Sequence, residues 1–331
     1  MKRSGLLAAL AVVMAVVGTG CQPPPPRLSL TVTTTVNGFD DLLGDGLCTS
    51  VDAGGECTLQ AAVAEGNLAP DGADISVPAG VYNPGNLVIT GDIAVNPGSI
   101  QDVILTSAIT VEESARFAAT GIGPTTGPNF RLLAFDVAGR LDLVQSTLTS
   151  FSRTTTGTGL RPALTVSATG TVLMADSLVL AFSPVSNAGR LAAVRSTVAQ
   201  GLESPAPVLD TTAGGTTYLL ASSLQRTQYS TATDPVCAGN PPVSLGYVHL
   251  DVPCGGPPAS GDTTGPSGVD PYQFAGTWFD PTSPLIDAVP AGTNACKLPL
   301  VDLDGIGRGN DGDGDGTGAC DVGAFELQPA V

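Results

Sequence analysis

The chain has 331 residues, with 13 Lys+Arg against 30 Asp+Glu and a formal net charge of −17. Such an acidic surface repels nucleic acid and anionic lipid and excludes partners held by basic patches. With 42% apolar residues the chain is not of the disordered acidic type, because it can build a core.

The first element is an export leader, residues 1–20. Lys2 and Arg3 give a positive end, Leu6 to Val17 is unbroken apolar sequence, and Gly18, Thr19 and Gly20 lead into Cys21. The apolar stretch is too short to cross a hydrocarbon core of ~30 Å as a helix, so it reads as a removable signal. A cysteine directly after small residues resembles a bacterial lipoprotein signal, although Gly18 stands where that motif usually has Leu or Val. The resemblance implies lipidation of Cys21, anchorage of the mature chain to a membrane, and, with Gln22 next, outer-membrane sorting. Ordinary cleavage with a free Cys21 is the alternative. Residues 21–30 contain Pro23 to Pro26, a stiff polyproline-type spacer. Loss of Lys2 and Arg3 leaves Lys297 as the one lysine.

Setting Cys21 aside leaves Cys48, Cys57, Cys237, Cys254, Cys296 and Cys320. An even number in an exported chain predicts disulfides. Proximity favours the pairs 48/57, 237/254 and 296/320, with other connectivities open. Zinc is disfavoured, since there is no Cys-x-x-Cys and His249 is the one histidine.

Residues 31–82 carry a recognisable block: Gly44-Asp-Gly-Leu-Cys48, then Glu56-Cys57-Thr-Leu-Gln-Ala-Ala-Val-Ala-Glu65, then Ala73-Asp-Ile-Ser-Val-Pro78. It resembles the CSLREA domain that opens many bacterial surface β-helix proteins, with Gln60 and Ala61 in place of the motif's Arg and Glu. Thr58 is suited to cap a short helix whose Leu59, Ala62 and Val63 form an apolar face. That helix would cover the open end of a solenoid, with Glu65 on its solvent surface.

Residues 83–235 repeat. Four segments begin at Gly139, Gly170, Gly189 and Gly215 and place Ser146, Ser177, Ser196 and Ser222 seven residues on. Apolar residues mostly fill the second and fourth positions: Leu141/Leu143, Val172/Met174, Leu191/Ala193 and Thr217/Leu219. The period is that of a solenoid. Its internal pattern predicts a strand with one inward face, entered at a glycine corner of tight turn or positive φ and left at a serine corner. The serines are expected in one column, bonding corner backbone groups. Strand-like runs precede each glycine, and Leu87–Thr90, Asp92–Val95 and Val103–Thr106 read as earlier, less regular coils. The predicted fold is all-β, a right-handed parallel β-helix with a short N-terminal capping helix.

Residues 236–331 hold further coils and a C-terminal region. Ser283-Pro-Leu-Ile-Asp287, Asp302-Leu-Asp304-Gly-Ile-Gly-Arg308 and Ala319-Cys-Asp321-Val-Gly323-Ala-Phe325-Glu326 are similar to the choice-of-anchor Q domain of bacterial surface proteins. That resemblance implies an extracytoplasmic β-helix and no particular reaction. Within the region, Asp311, Asp313, Asp315 and Gly316 match the opening of a calcium loop. Val322 stands where such a loop has its bidentate Glu, leaving Asp321 or Asp304 as the substitute.

No cofactor is required by this reading; calcium is the one candidate. The expected function is a non-enzymatic surface lipoprotein, structural or adhesive, with glycans or envelope components as partners. The first alternative is a polysaccharide lyase or hydrolase using Asp136, Asp142, Asp176 or Asp210. The second is a weak calcium-dependent binding module. Ser–His–Asp catalysis would depend on His249 alone.

Overall fold

The computed structural model describes residues 26–97, 103–123, 134–150, 161–201, 204, 206–226, 236–268, 282–297 and 301–327. The leader and Cys21 lie outside the described residues.

The described chain is all-β apart from one α-helix and a short 3-10 turn, and its strands pair almost entirely in parallel. Three sheets dominate. The first has nine strands in chain order, from Leu28–Thr31 through Ala73–Val77, Asp92–Pro97, Arg116–Thr120, Arg140–Val144, Thr171–Ala175, Arg190–Val194 and Thr216–Leu220 to Val243–Ser244. The second has seven, from Leu87–Ile89 to Cys237–Gly239, and the third six, from Thr147–Ser150 to Thr263–Thr264. From Leu87 the chain visits second, first and third faces in that order, turn after turn. Leu87–Ile89, Asp92–Pro97 and Val103–Leu105 are therefore successive faces of one turn. In the early turns the third face is a smaller sheet of Gly80–Tyr82 and Val103–Leu105. It continues through the Val103–Ile122 bridge and the bond from the Thr147 amide to the Ile122 carbonyl, 2.7 Å.

Registry follows the apolar alternation. Leu30, Ile75, Val95, Ala119, Leu143, Met174, Ala193 and Leu219 are paired neighbours in one buried column of the first sheet. On the second sheet Leu87, Ile109, Phe135, Leu164, Val185 and Leu209 form another. A one-residue slip would turn either column out to water, so the alternation sets the register.

The serine corners form a ladder. Each hydroxyl donates to the carbonyl two residues back, as Ser177 Oγ does to Ala175 at 2.7 Å and Ser196 Oγ to Val194 at 2.9 Å. Three also accept the serine amide of the previous turn, Ser146 to Ser177 at 3.2 Å, Ser177 to Ser196 at 3.3 Å and Ser196 to Ser222 at 3.1 Å, while Ser146 Oγ accepts the Ile122 amide at 3.3 Å. The glycine corners work differently from the sequence expectation. Gly139, Gly170, Gly189 and Gly215 do not have positive φ; the left-handed residues are Gln145, Asp176, Arg195 and Ala221, each just before its serine, at φ 46–48°. The glycines are needed for close approach. A β-carbon on Gly139 would collide with the Glu112 and Ala115 carbonyl oxygens, and one on Gly189 with those of Ser167 and Gly170.

The helix α1, Leu59–Leu68, is capped by Thr58, whose Oγ accepts the Ala61 amide at 3.0 Å; such a cap contributes about 1 kcal/mol. It lies against the first strands of the first and second sheets, with Leu59, Ala61, Ala62 and Val63 in the core. Glu65 does not face solvent as the sequence suggested. It is 2% exposed, because its carboxylate turns back under the Gly44–Gly46 loop to accept two amides.

Residues 282–297 and 301–327 lie across the outer face of the third sheet. Leu178, Leu180 and Ala199 point outward from that sheet into a second core with Leu285, Val289, Leu303, Val322 and Phe325. Hence Leu178–Ala181 is buried on both faces, as its unalternating apolar sequence requires. The three disulfides are Cys48–Cys57, Cys237–Cys254 and Cys296–Cys320.

Candidate functional site

The C-terminal acidic loop closes on itself through its own amides. Asp311 accepts the amides of Gly314 and Gly316, both at 2.8 Å, Asp313 accepts that of Asp315 at 3.0 Å, and Asp315 accepts that of Thr317 at 2.7 Å. Glycine at 314 and 316, φ 77° and 90°, permits these tight turns. Asp287 joins the loop from the opposite strand of chain. Its Oδ2 accepts the Gly312 and Asp313 amides at 2.9 and 3.0 Å, and its Oδ1 accepts that of Ala319 at 3.2 Å. Burial raises the Asp287 carboxyl against the pull of those amides, with the Asp313 charge adding to the rise.

Asp287, Asp311 and Asp313 each bring one carboxylate oxygen within 4.8 Å of the others. Asp315, the third residue of the sequence pattern, does not join this group, and neither Asp304 nor Asp321 completes it. Asp321 is buried and spent on the amides of Asp287 at 2.8 Å and Leu327 at 2.6 Å. The signal missed in the sequence was Asp287, 24 residues before the loop. Three carboxylates make an all-oxygen donor set of the kind a hard cation such as calcium takes.

Behind this loop is a buried ionic junction. Arg308, 3% exposed, donates from Nε to Asp176 at 3.0 Å, from Nη2 to the Gly323 carbonyl at 2.7 Å and from Nη1 to the Asp321 carbonyl at 3.3 Å. Its Nη1 also reaches Glu326 at 3.4 Å. Asp176 is shared with Arg195, at 2.7 Å. Glu326 accepts the amides of Gly309 and Asp321 at 2.7 and 2.9 Å, while Asp302 accepts those of Ile306 and Glu326 at 2.7 and 2.8 Å. Every one of these carboxylates binds chain to chain, so the junction fastens the C-terminal region to the sheet stack.

The other carboxylates of the coils are dispersed. Asp136 and Asp210 lie on the outer face of the second sheet, separated by Thr165 and Ser186 in the column. Three strand spacings set them about 14 Å apart, beyond the ~5–9.5 Å that glycoside hydrolysis uses. Asp136 pairs with Arg161. Asp142 lies on the first sheet in a chain of alternating charge: Arg27 with Asp74 and Asp92, then Arg116 with Asp92 and Asp142, then Arg140 with Asp142. Arg190 shares the Arg140 column, but Thr171 stands between them. The pairs of Arg27 and Arg116 with Asp74 and Asp92 are part-exposed and contribute ~1 kcal/mol or less each, while Asp142 is buried beneath Arg116 and Arg140. His249 is buried, with Nδ1 on Thr263 Oγ1 and Nε2 on the Gly265 carbonyl, both at 2.8 Å. It joins the last two strands of the third sheet, with Asp251 Oδ1 3.5 Å from its Nε2.

A cavity of about 270 Å³ opens at the far end of the stack, between Leu219, Val248 and Leu250 and the loop of Pro253, Pro257 and Pro258. Its one carboxylate, Asp262, accepts from Ser244 Oγ, the Val248 amide and the Ala259 amide. The cavity is therefore the apolar end of the core under a disulfide-tied loop.

No family model, curated protein or solved structure matches this chain.

Proposed function

We propose that this chain is an exported surface lipoprotein of bacteria, a right-handed parallel β-helix anchored through Cys21 and serving a structural or adhesive role in the envelope. The observation that carries the reading is the set of three disulfides, closing the N-terminal loop, the last turn and the C-terminal region. Such cross-links belong to an oxidising compartment outside the cytoplasm. Right-handedness is the rule for parallel crossovers within a sheet. The residues shared with the CSLREA and choice-of-anchor Q patterns support the assignment by their roles. Cys57 and Thr58 set the start of α1, and Arg308, Gly323 and Glu326 hold the C-terminal region on the stack. The dispersed coil carboxylates favour this reading over polysaccharide cleavage.

The test is metabolic labelling with a tagged fatty acid, followed by protease treatment of whole cells. Label on the native chain, none on Cys21→Ser, and cleavage without lysis are expected. An unlabelled native chain ends the lipid assignment, and protection from protease ends the surface one. The arrangement of Asp287, Asp311 and Asp313 favours a second reading, calcium-dependent binding of envelope glycans. Retention on a polysaccharide that EDTA does not change would remove it.

A further inference from the structure

The four most exposed large apolar side chains among the described residues all lie in one loop, between the first strand and α1. They are Val51 at 74%, Phe39 at 70%, Leu42 at 62% and Leu43 at 61%. Leu47 and Val36 of the same loop are also exposed, and the patch continues onto the helix. Leu68, the exposed last residue of α1, sits against the loop tip, since a β-carbon on Gly44 would stand 3.7 Å from its Cδ1. Leaving one such side chain in water forgoes about 1.5–3 kcal/mol of burial. A contiguous apolar surface of this kind marks a place that something covers.

The loop is braced in this outward form. Glu65 fixes its tip on α1 by accepting the Gly44 amide and, at 2.8 Å, the Gly46 amide. The Asp41 amide on the Thr49 carbonyl at 3.0 Å and Thr49 Oγ1 on Asp41 at 2.6 Å join its two limbs. Thr58 Oγ1 holds the Gly38 carbonyl at 2.6 Å, and Cys48–Cys57 closes the base. The same lobe is where the chain enters the fold. Leu28 opens the first strand, and its Cδ1 would lie 3.9 Å from a β-carbon on Gly46. Seven residues separate Leu28 from Cys21, at most ~25 Å of chain. Charge narrows what can cover the patch. Asp41, Asp45 and Asp52 are exposed in this loop, so it repels an anionic surface, and a symmetric pair of chains would set each aspartate against its own copy.

We infer that Phe39, Leu42, Leu43, Leu47 and Val51 rest in the interface of a zwitterionic lipid bilayer, the one to which a lipid on Cys21 ties the chain. This contact rests on the lipid-anchor reading, because the anchor is what keeps the loop within reach of the bilayer. The side chains enter the boundary between headgroups and acyl chains, a layer ~5–10 Å deep, and the aspartates stay at its aqueous edge. The β stack is then held by its N-terminal end. Its last first-sheet strand, Val243–Ser244, stands eight strand spacings from Leu28–Thr31, ~38 Å away.

The experiment supplies the anchor chemically. The mature chain, made without acylation, is coupled through Cys21, the one cysteine outside the three disulfides, to a maleimide lipid in phosphatidylcholine vesicles. Leu42→Trp and Leu245→Trp are compared with the parent, whose one tryptophan is Trp278, by quenching with lipids brominated near the headgroup. Leu245 is the control, 58% exposed beside the last strand of the first sheet. Leu42→Trp is expected to gain quenching over the parent and Leu245→Trp to gain none. Adding Phe39→Ser and Leu43→Ser, both at exposed positions, should reduce the gain, and so should phosphatidylglycerol mixed into the vesicles. No gain at Leu42→Trp, equal gains at the two positions, or a gain that grows with phosphatidylglycerol overturns the contact. So does a dimer of the uncoupled chain that Leu42→Ser disperses in sedimentation, because a second copy would then cover the loop. The two readings fail separately. An unlabelled native chain in the fatty-acid experiment ends the anchor, and the contact in the cell with it, even where the coupled chain is quenched; a labelled chain whose coupled form is not quenched ends the contact alone.

Discussion

Arg308 and Asp176 are 132 residues apart in sequence and meet, Nε to Oδ1, at 3.0 Å in a site where the arginine side chain has no exposure. One comes from a corner of the β stack and the other from the C-terminal region, so a single ion pair joins two parts of the chain. Arg195 on the same aspartate leaves Asp176 with two cations and Arg308 with two acids, Asp176 and Glu326.

Replacing Arg308 with Met should therefore destabilise the protein by about 3–5 kcal/mol, because buried Asp176 and Glu326 lose a shared partner. Denaturant unfolding gives the magnitude and hydrogen exchange gives the place. Amides of Leu178–Ala181 and Thr197–Gln200 should be the first to lose protection as the C-terminal region lifts off. Loss of protection at α1 instead would show that the junction does not act locally.

The serine ladder makes a second claim. Ser177 Oγ accepts from the Ser146 amide and donates to the Ala175 carbonyl in a site 1% exposed. Ser177→Ala leaves a buried amide without its acceptor, at a cost of about 1–3 kcal/mol. Half-buried Ser167, whose hydroxyl meets only that of Thr169 at 3.3 Å, should tolerate the same change within about 0.5 kcal/mol. Equal effects at the two positions would remove the ladder as a source of stability.

Glycine at the opposite corner is tested by volume. Gly139→Ala places a β-carbon against the Glu112 and Ala115 carbonyls, whereas at Gly307 nothing lies within 4 Å. The first change should cost several kcal/mol, at the level of overpacking or more, and the second about 0.5 kcal/mol or less. Paired melting curves decide it, and a mild Gly139→Ala would mean that adjacent turns can separate without penalty.

These corners also mark what the sequence could reveal. Apolar alternation in Arg140–Val144 and its partners carries register directly, since each wrong pairing would expose a core residue. The serine column was readable for the same reason: its period equals one turn. Leu178-Val-Leu-Ala181 carried a readable sign of two-sided burial, but nothing local says what covers the second face. Glu65 and Asp287 were opaque because their bonding partners are amides of distant glycine-rich loops, and amides are common to every residue type. The Arg308–Asp176 contact depends on the path of the whole chain, which no spacing encodes.

Acid–base behaviour gives the last prediction. Burial, with the charge of Glu326 next, pushes the Asp321 carboxyl up to about 7, and burial pushes Asp302 up to about 6. Both titrate near ~4 when unfolded. Between those values the folded chain keeps protons that the unfolded chain has released, so stability is complete below ~4 and is lost as pH rises toward about 7. Net charge acts in the same direction, since −17 at neutral pH repels itself. Glu65 works the other way. Burial opposes its ionisation, but the Gly44 amide, Asp40 and the Gly46 amide together hold it below the usual glutamate range. Its contribution disappears only under stronger acid. The melting temperature in EDTA should thus peak near pH ~5 and fall by several degrees toward pH ~8. Circular dichroism melts across that range provide the check. A profile that rises toward pH ~8 would mean that Asp302 and Asp321 are ionised in the fold as readily as in the unfolded chain.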